Sequence, residues 1–203
     1  MFYAIGESRA WETLGKMSPG DICRRALCEY NKTASEYRVR SFGQSMAVNP
    51  ASRTITAGGP GGKWLLEDKA LMYRLSALCY LLTAKDVPVS GELKTPAAFK
   101  AGEIYRTGTH VLPLKKVAER YGARFDDFVA CGKRLGGEVV SHGDAAVRLY
   151  PFPRVPVVGV LWNGDDEFPP RADLLFDSSC PQQLAPDIIW AVASLTCQVF
   201  IKA

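Results

Sequence analysis

The stretch Pro151 to Leu184, PFPRVPVVGVLWNGDDEFPPRADLLFDSSCPQQL, decides the fold class. An apolar run, Val155 to Trp162, stands directly before an acidic turn, Asn163 to Glu167, and a second apolar run, Ala172 to Phe176, stands directly before Asp177. Short apolar runs bounded by turn residues read as buried strands. Both strands end in carboxylates, so the working surface is expected there.

Upstream, Glu138 to Val140 and Ala146 to Tyr150 read as further strands around the turn Ser141 to Asp144. Two helices precede them, Pro113 to Tyr121 stopped by Gly122 and Phe125 to Leu135 stopped by Gly136-Gly137. Asp86 to Pro96 reads as loop. Leu65 to Ala84 carries Leu71, Met72, Leu75, Leu78, Cys79 and Leu82 at helical spacing and reads as one central core helix. Near the start, Ser18-Pro19 opens a helix that the spacing extends to about Lys32, and Glu36 to Thr56 alternates as an antiparallel meander. Pro186 to Ile201 closes the chain as an apolar helix. This order predicts α+β, a single domain over 1–203 whose mainly antiparallel sheet packs against several helices. Within it, 1–60 forms the N-terminal helix and meander, 63–187 the core, and 186–201 the final helix.

At 203 residues, 47% hydrophobic and 23% charged, the composition is ordinary for a globular chain. The net charge of +4 is spread over scattered basic pairs, which excludes the clustered basic face of a nucleic-acid binder. MFYAIGESRAWETLGK lacks the apolar core of an export signal. The run Ile188 to Ile201 is interrupted by Ser194, Thr196 and Gln198 and falls short of the roughly 20 residues a bilayer requires. Six cysteines without an export signal suit a reducing compartment, and a cytoplasmic location away from membranes is expected.

The glycine-rich segment AGGPGGK, Ala57 to Lys63, lies between a strand and a helix, where a phosphate-binding loop would lie. Ala57 replaces the first glycine and Trp64 the magnesium-binding hydroxyl, so a simple turn accounts for it better. Cys23 and Cys28 are five apart and the other cysteines solitary, unlike the tight pairs of zinc and iron–sulfur sites. Cys180, after Asp177-Ser178-Ser179 and before a helix, has no base near it in sequence. His110 and His142 are the chain's two histidines, and either could act as general acid or base or bind a metal. Asp165, Asp166 and Glu167 beside Trp162 are candidate ligands for a hard cation, and Asp144 and Asp177 would join them if their strands lie alongside. The plainer reading of that turn is a solvated loop shaped by its aspartates.

Gly143-Asp144, Pro153 to Pro156, Trp162 to Pro169 and Leu175 to Asp177 together resemble a family of uncharacterised proteins of strict anaerobes, a domain of unknown function. HVLPLKKVAERYG and LMYRLSALCYLLTA resemble its middle, and the likeness covers roughly Lys63 to Asp187. The tail LAPDIIWAVASL departs from the family's more polar pattern and leaves only Asp187 in its acidic place. The resemblance implies no established activity. Some relatives resemble parts of proteins with iron–sulfur or corrinoid modules, for which this chain lacks the cysteine cluster. The expected function is binding of a small ligand or a metal-containing cofactor, a divalent metal or a tetrapyrrole, in anaerobic metabolism. Tyr105 and Trp162 would form its walls, the five carboxylates its metal ligands, and His110 or His142 would supply a nitrogen. The alternatives are an enzyme pairing a histidine base with a carboxylate, and a homodimeric interaction module meeting through the apolar C-terminal helix.

Overall fold

The computed structural model describes residues 6–67, 69–99, 111–122 and 124–202. Two antiparallel sheets organise the α+β fold. The first is a meander of β1 (Glu29–Asn31), β2 (Glu36–Ser41), β3 (Gln44–Asn49) and β4 (Thr54–Ala57) in sequence order. The second follows the order β5 (Leu93–Lys94), β9 (Arg171–Asp177), β8 (Val155–Trp162), β7 (Ala145–Phe152) and β6 (Glu138–Val139). Its centre is the stretch quoted above. β8 is buried from Val155 to Leu161, as its unbroken apolar run requires of a strand covered on both faces.

Helices α4 (Ala70–Thr83), α5 (Leu114–Tyr121), α6 (Phe125–Arg134) and α8 (Pro186–Lys202) supply the layer over the second sheet and the core beside it. Phe200 of α8 lies directly over Gly159 of β8, where an added Cβ would stand 2.7 Å from the ring. The Phe200 ring stacks on Phe128 of α6 with centroids 4.6 Å apart. Most apolar residues of α8 from Ile188 to Phe200 are buried in this core, with Trp190 half-buried. No helix among the described residues is long and apolar enough to cross a membrane.

The two sheets meet at the β2–β3 turn. Phe42 N–H donates to the Tyr150 carbonyl at 2.9 Å. Gly43, at φ +73°, approaches the end of α6 so closely that a Cβ would lie 2.7 Å from the Leu135 carbonyl oxygen. Only glycine meets both demands without strain.

The helices differ from the sequence reading in three places. The helix opened by Ser18-Pro19 ends at Ala26, because Leu27 turns into the left-handed region at φ 49° and sends Glu29–Asn31 into the sheet as β1. There Tyr30 packs on Tyr37, ring centroids 4.9 Å apart. This helix is α2 (Pro19–Ala26), and α1 (Gly6–Lys16) precedes it, burying Ala10, Trp11 and Leu14. Finally, the span read as one helix from Leu65 to Ala84 is two, α3 (Pro60–Glu67) and α4, with Lys69 between them at φ −126° and ψ 24°. The glycine-rich segment serves this packing. A Cβ on Gly62 would stand 2.8 Å from the Ala57 Cβ and 3.1 Å from the Met46 sulfur, so the glycine lets α3 close onto β3 and β4.

Arg154, in the turn between β7 and β8, ties these parts together. Its side chain is buried and donates from Nε to the Arg25 carbonyl at 2.6 Å and from Nη2 to the Arg24 carbonyl at 3.3 Å. Nη1 reaches the Val87 carbonyl at 3.0 Å, and Nη2 also pairs with Asp86. Its backbone N–H donates to the Tyr80 hydroxyl, which donates in turn to the Ala26 carbonyl at 2.9 Å. A guanidinium thus satisfies the C-terminal carbonyls of α2, the end of a helix dipole that favours a cation. Replacing Arg154 with alanine should cost about 3 kcal/mol, because charged hydrogen bonds are lost and buried carbonyls are left unpaired. Urea unfolding measures that loss, and lysine should not restore it, since one ammonium cannot span the same fork of acceptors.

Candidate functional site

The antiparallel pairing of β8 with β9 sets where each candidate residue falls. Trp162 stands opposite Arg171 and Val157 opposite Phe176, so the C-terminal end of β8 faces the N-terminal start of β9. Asp177, at the far end of β9, is six residues and roughly 20 Å of strand rise from Arg171, the end that lies next to the acidic turn. It therefore does not join Asp165, Asp166 and Glu167. Strands that each end in a carboxylate share an end only if they run parallel, and these do not.

Asp144 does reach the turn. Its Oδ2 accepts from Asn163 N–H at 2.7 Å, while its own N–H donates to the Leu161 carbonyl at 3.0 Å. Gly143 at φ +54° makes the approach possible, since a Cβ there would lie 2.7 Å from the Leu161 oxygen. Asp165 Oδ1 accepts from the backbone N–H groups of Glu167 and Phe168 at 2.9 and 2.7 Å. Those two donors lower its pKa, the Phe168 amide most. Both aspartates thus shape the loop, while Asp166 and Glu167 are solvated. His142 is exposed on the neighbouring turn. His110 and Tyr105 lie outside the described residues. Among the described residues, no three His, Cys, Asp or Glu side chains gather where they could hold a metal ion.

Asp177 is buried inside a web of donors. Oδ1 accepts from the N–H and hydroxyl of Ser90, each at 2.9 Å, and from Ser179 N–H at 2.9 Å and its hydroxyl at 2.6 Å. Oδ2 accepts from Gly91 N–H at 2.7 Å. Burial works to raise its pKa, but the donors from Ser179 and Ser90 outweigh it and hold the carboxyl at about 2. With its lone pairs so engaged, Asp177 fastens the loop after α4 to the end of β9. Cys180 beside it is fully buried, and burial pushes its thiol well above the usual range, leaving it no nucleophile.

The concave site lies on the other flank of Trp162. Its indole Nε1 donates to Asp173 Oδ2 at 2.8 Å, and the Arg171 guanidinium sits 4.7 Å over its ring. Asp173 and Leu174 form one wall of a cleft of about 430 Å³, with the turn Thr95–Ala97 on one side and Val111, Leu112 and Leu114 on the other. The cleft follows the edge of β9, because β5 pairs with it only at Leu93↔Asp177 and Lys94↔Phe176. Asp173 is the only charged residue in the described lining, and the rest is apolar apart from Thr95. The sequence reading passed over Asp173, although a lone carboxylate inside the apolar run ADLLF was the available signal.

Residues 18–199 match a protein family described as a domain of unknown function (DUF3786). The chain belongs to that family. No curated protein and no solved structure matches it. The DUF3786 span takes in the meander and α2, well beyond the Lys63 to Asp187 likeness read from motifs, and both the Asp173 cleft and the Arg154 anchor lie inside it.

Asp177 gives this region a test by pH. Its folded pKa lies below the unfolded value, so its stabilisation is complete above about pH 4 and is lost as pH falls towards about 2. Asp177→Asn should lower stability at pH 7 by about 2 kcal/mol and flatten the acid limb over that window. Urea titrations at a series of pH values measure both effects.

Proposed function

We propose that this DUF3786 protein is a cytoplasmic module that binds a small organic ligand in the cleft along β9. The observation that carries the reading is a cleft of about 430 Å³ bordered by a single charged residue, Asp173, with the apolar side chains of Val111, Leu112, Leu114 and Leu174 beside it. That volume lies within the roughly 300–1,000 Å³ of small-molecule sites. Asp173 is oriented by the Trp162 indole and backed by Arg171, so its position is fixed before any ligand arrives. Asp173 borders the cleft from the face of β9 opposite Leu174, so the strand edge between them would take a ligand that donates a hydrogen bond, an amine or hydroxyl, with an apolar body lying against Leu112, Leu114 and Leu174.

A metal-containing cofactor finds less support. Asp144 and Asp165 spend carboxylate oxygens on backbone amides, and Asp177 is at the opposite end of β9. The cleft supplies the apolar surface and hydrogen-bonding edge that a small organic molecule uses.

Ligand-observed NMR with a fragment library divided into amines, alcohols and carboxylates tests this. Amine and alcohol fragments should bind the unmodified protein. Ala97→Trp, at the half-buried lip, should abolish their binding, and Asp173→Asn should weaken the amines about tenfold. Equal binding of carboxylates, or indifference to Ala97→Trp, would refute the assignment.

A further inference from the structure

Of the six cysteines, Cys79, Cys131, Cys180 and Cys197 are fully buried, whereas Cys23 and Cys28 are only half-buried. The Sγ atoms of Cys23 and Cys28 lie 3.9 Å apart. The left-handed turn at Leu27 brings them together, with Cys28 N–H donating to the Cys23 carbonyl at 3.2 Å. A disulfide requires about 2.0 Å between sulfurs, a closure of about 2 Å from this arrangement. We propose that Cys23 and Cys28 form a reversible disulfide site, oxidised by a low-molecular-weight disulfide.

The chemistry balances with that oxidant alone. The thiolate of Cys23 attacks one sulfur of the small disulfide, forming a mixed disulfide and expelling one small thiolate. The Cys28 thiolate then attacks the Cys23 sulfur, the Sγ–Sγ bond forms, and the second small thiolate leaves. Two protein thiols are oxidised, one small disulfide is reduced to two thiols, and the two protons pass to solvent or to the departing thiolates. Burial raises the pKa of both cysteines and that of Cys28 furthest, so Cys23 is the first nucleophile and exchange is slow. Proximity of the second thiol carries the reaction past the mixed disulfide.

The position gives the bond a structural consequence. The loop it would close contains Arg24, Arg25 and Ala26, whose carbonyls receive Arg154 and the Tyr80 hydroxyl. Oxidation would lock the C-terminal turn of α2, whose carbonyls receive the side chain of Arg154 from the turn between β7 and β8. Thiol pairs that cycle in a reducing compartment commonly report on redox poise.

The full chain, equilibrated in glutathione buffers from about −300 to −150 mV, quenched with N-ethylmaleimide in denaturant and weighed intact, tests the proposal. The expected product is lighter than the reduced chain by two hydrogen atoms before labelling and takes up two fewer maleimides. Peptide mapping should join Cys23 to Cys28, and dithiothreitol should reverse the change. Oxidation should raise Tm by about 5 °C. Cys28→Ser should stop at one glutathione on Cys23. The proposal is overturned if all six thiols remain alkylatable across that range, if the wild-type chain also stops at a glutathione adduct, or if mapping joins other cysteines. Mapping of the wild-type chain decides the matter even where a serine variant folds poorly.

Discussion

The buried guanidinium of Arg154 is the constraint on which the arrangement of the whole chain depends. A cation taken out of water is costly unless its donors are all engaged, and here the partners come from α2, from the loop after α4 and from Asp86. A second arginine completes the joint. Arg25, inside α2, donates from Nη1 to the Ala84 carbonyl at 2.5 Å, so the C-terminus of α4 is met by a cation carried on α2, while the C-terminus of α2 is met by a cation carried on the sheet. The two helices and the β7–β8 turn are therefore fixed to one another by carbonyl groups that would otherwise be orphaned. Tyr80 fills the same joint with its ring stacked on Phe152 at 4.7 Å and its hydroxyl shared between Arg154 and Ala26.

None of this joint could be seen in the sequence, and the reason is its non-locality. Positions 25, 80, 86 and 154 meet only in three dimensions, and an arginine after Pro153 reads as an exposed turn residue until its partners are known. What was legible was periodicity. The two-residue alternation of the meander and the unbroken apolar run of β8 fixed strand identity and the antiparallel α+β class, because a half-buried face and a doubly covered strand impose different patterns. Boundaries were less legible where packing overrode pattern. Leu27 adopts a conformation that favours glycine, and ending α2 there lets Tyr30 pack against Tyr37 in the sheet. The spacing of Ala10, Trp11 and Leu14 in α1 was present all along, in a segment weighed only as an export signal.

The acidic residues show the same division. Asp165 bonds the backbone of its own sequence neighbours, as an aspartate-shaped loop requires, whereas Asp144 reaches Asn163 across the pairing of β7 with β8. Asp177 misled because two strands ending in carboxylates suggest one site, and strand direction decides whether they share it. The hydroxyls of Ser178 and Ser179 beside it were a sign that this carboxylate is solvated by the protein itself. Asp173 is the contrasting case, a carboxylate part-way along a strand between apolar neighbours, where alternation puts it on the face opposite Ala172 and Leu174 and leaves it beside Trp162.

Why there should be a cleft at Asp173 follows from one residue. β5 pairs with β9 for two positions, at Asp177 and Phe176, and continuing the register would set Thr95 opposite Leu175 and Pro96 opposite Leu174. Proline has no N–H to give a ladder, and the residue before it is held extended, so the chain leaves the sheet at Thr95 and coils into the short helix Pro96–Ala98. Among the described residues, the edge of β9 from Leu175 back to Arg171 is thereby left without a β5 partner, and Leu112 and Leu114, at the start of α5, line the other side of the cleft. A polar edge strand bordered by apolar side chains is unfavourable to leave dry and unfavourable to fill with apolar groups alone. On the proposed reading a ligand with one donor and an apolar body would satisfy both conditions, and the proline that ends the sheet would then set the chemistry of the cleft.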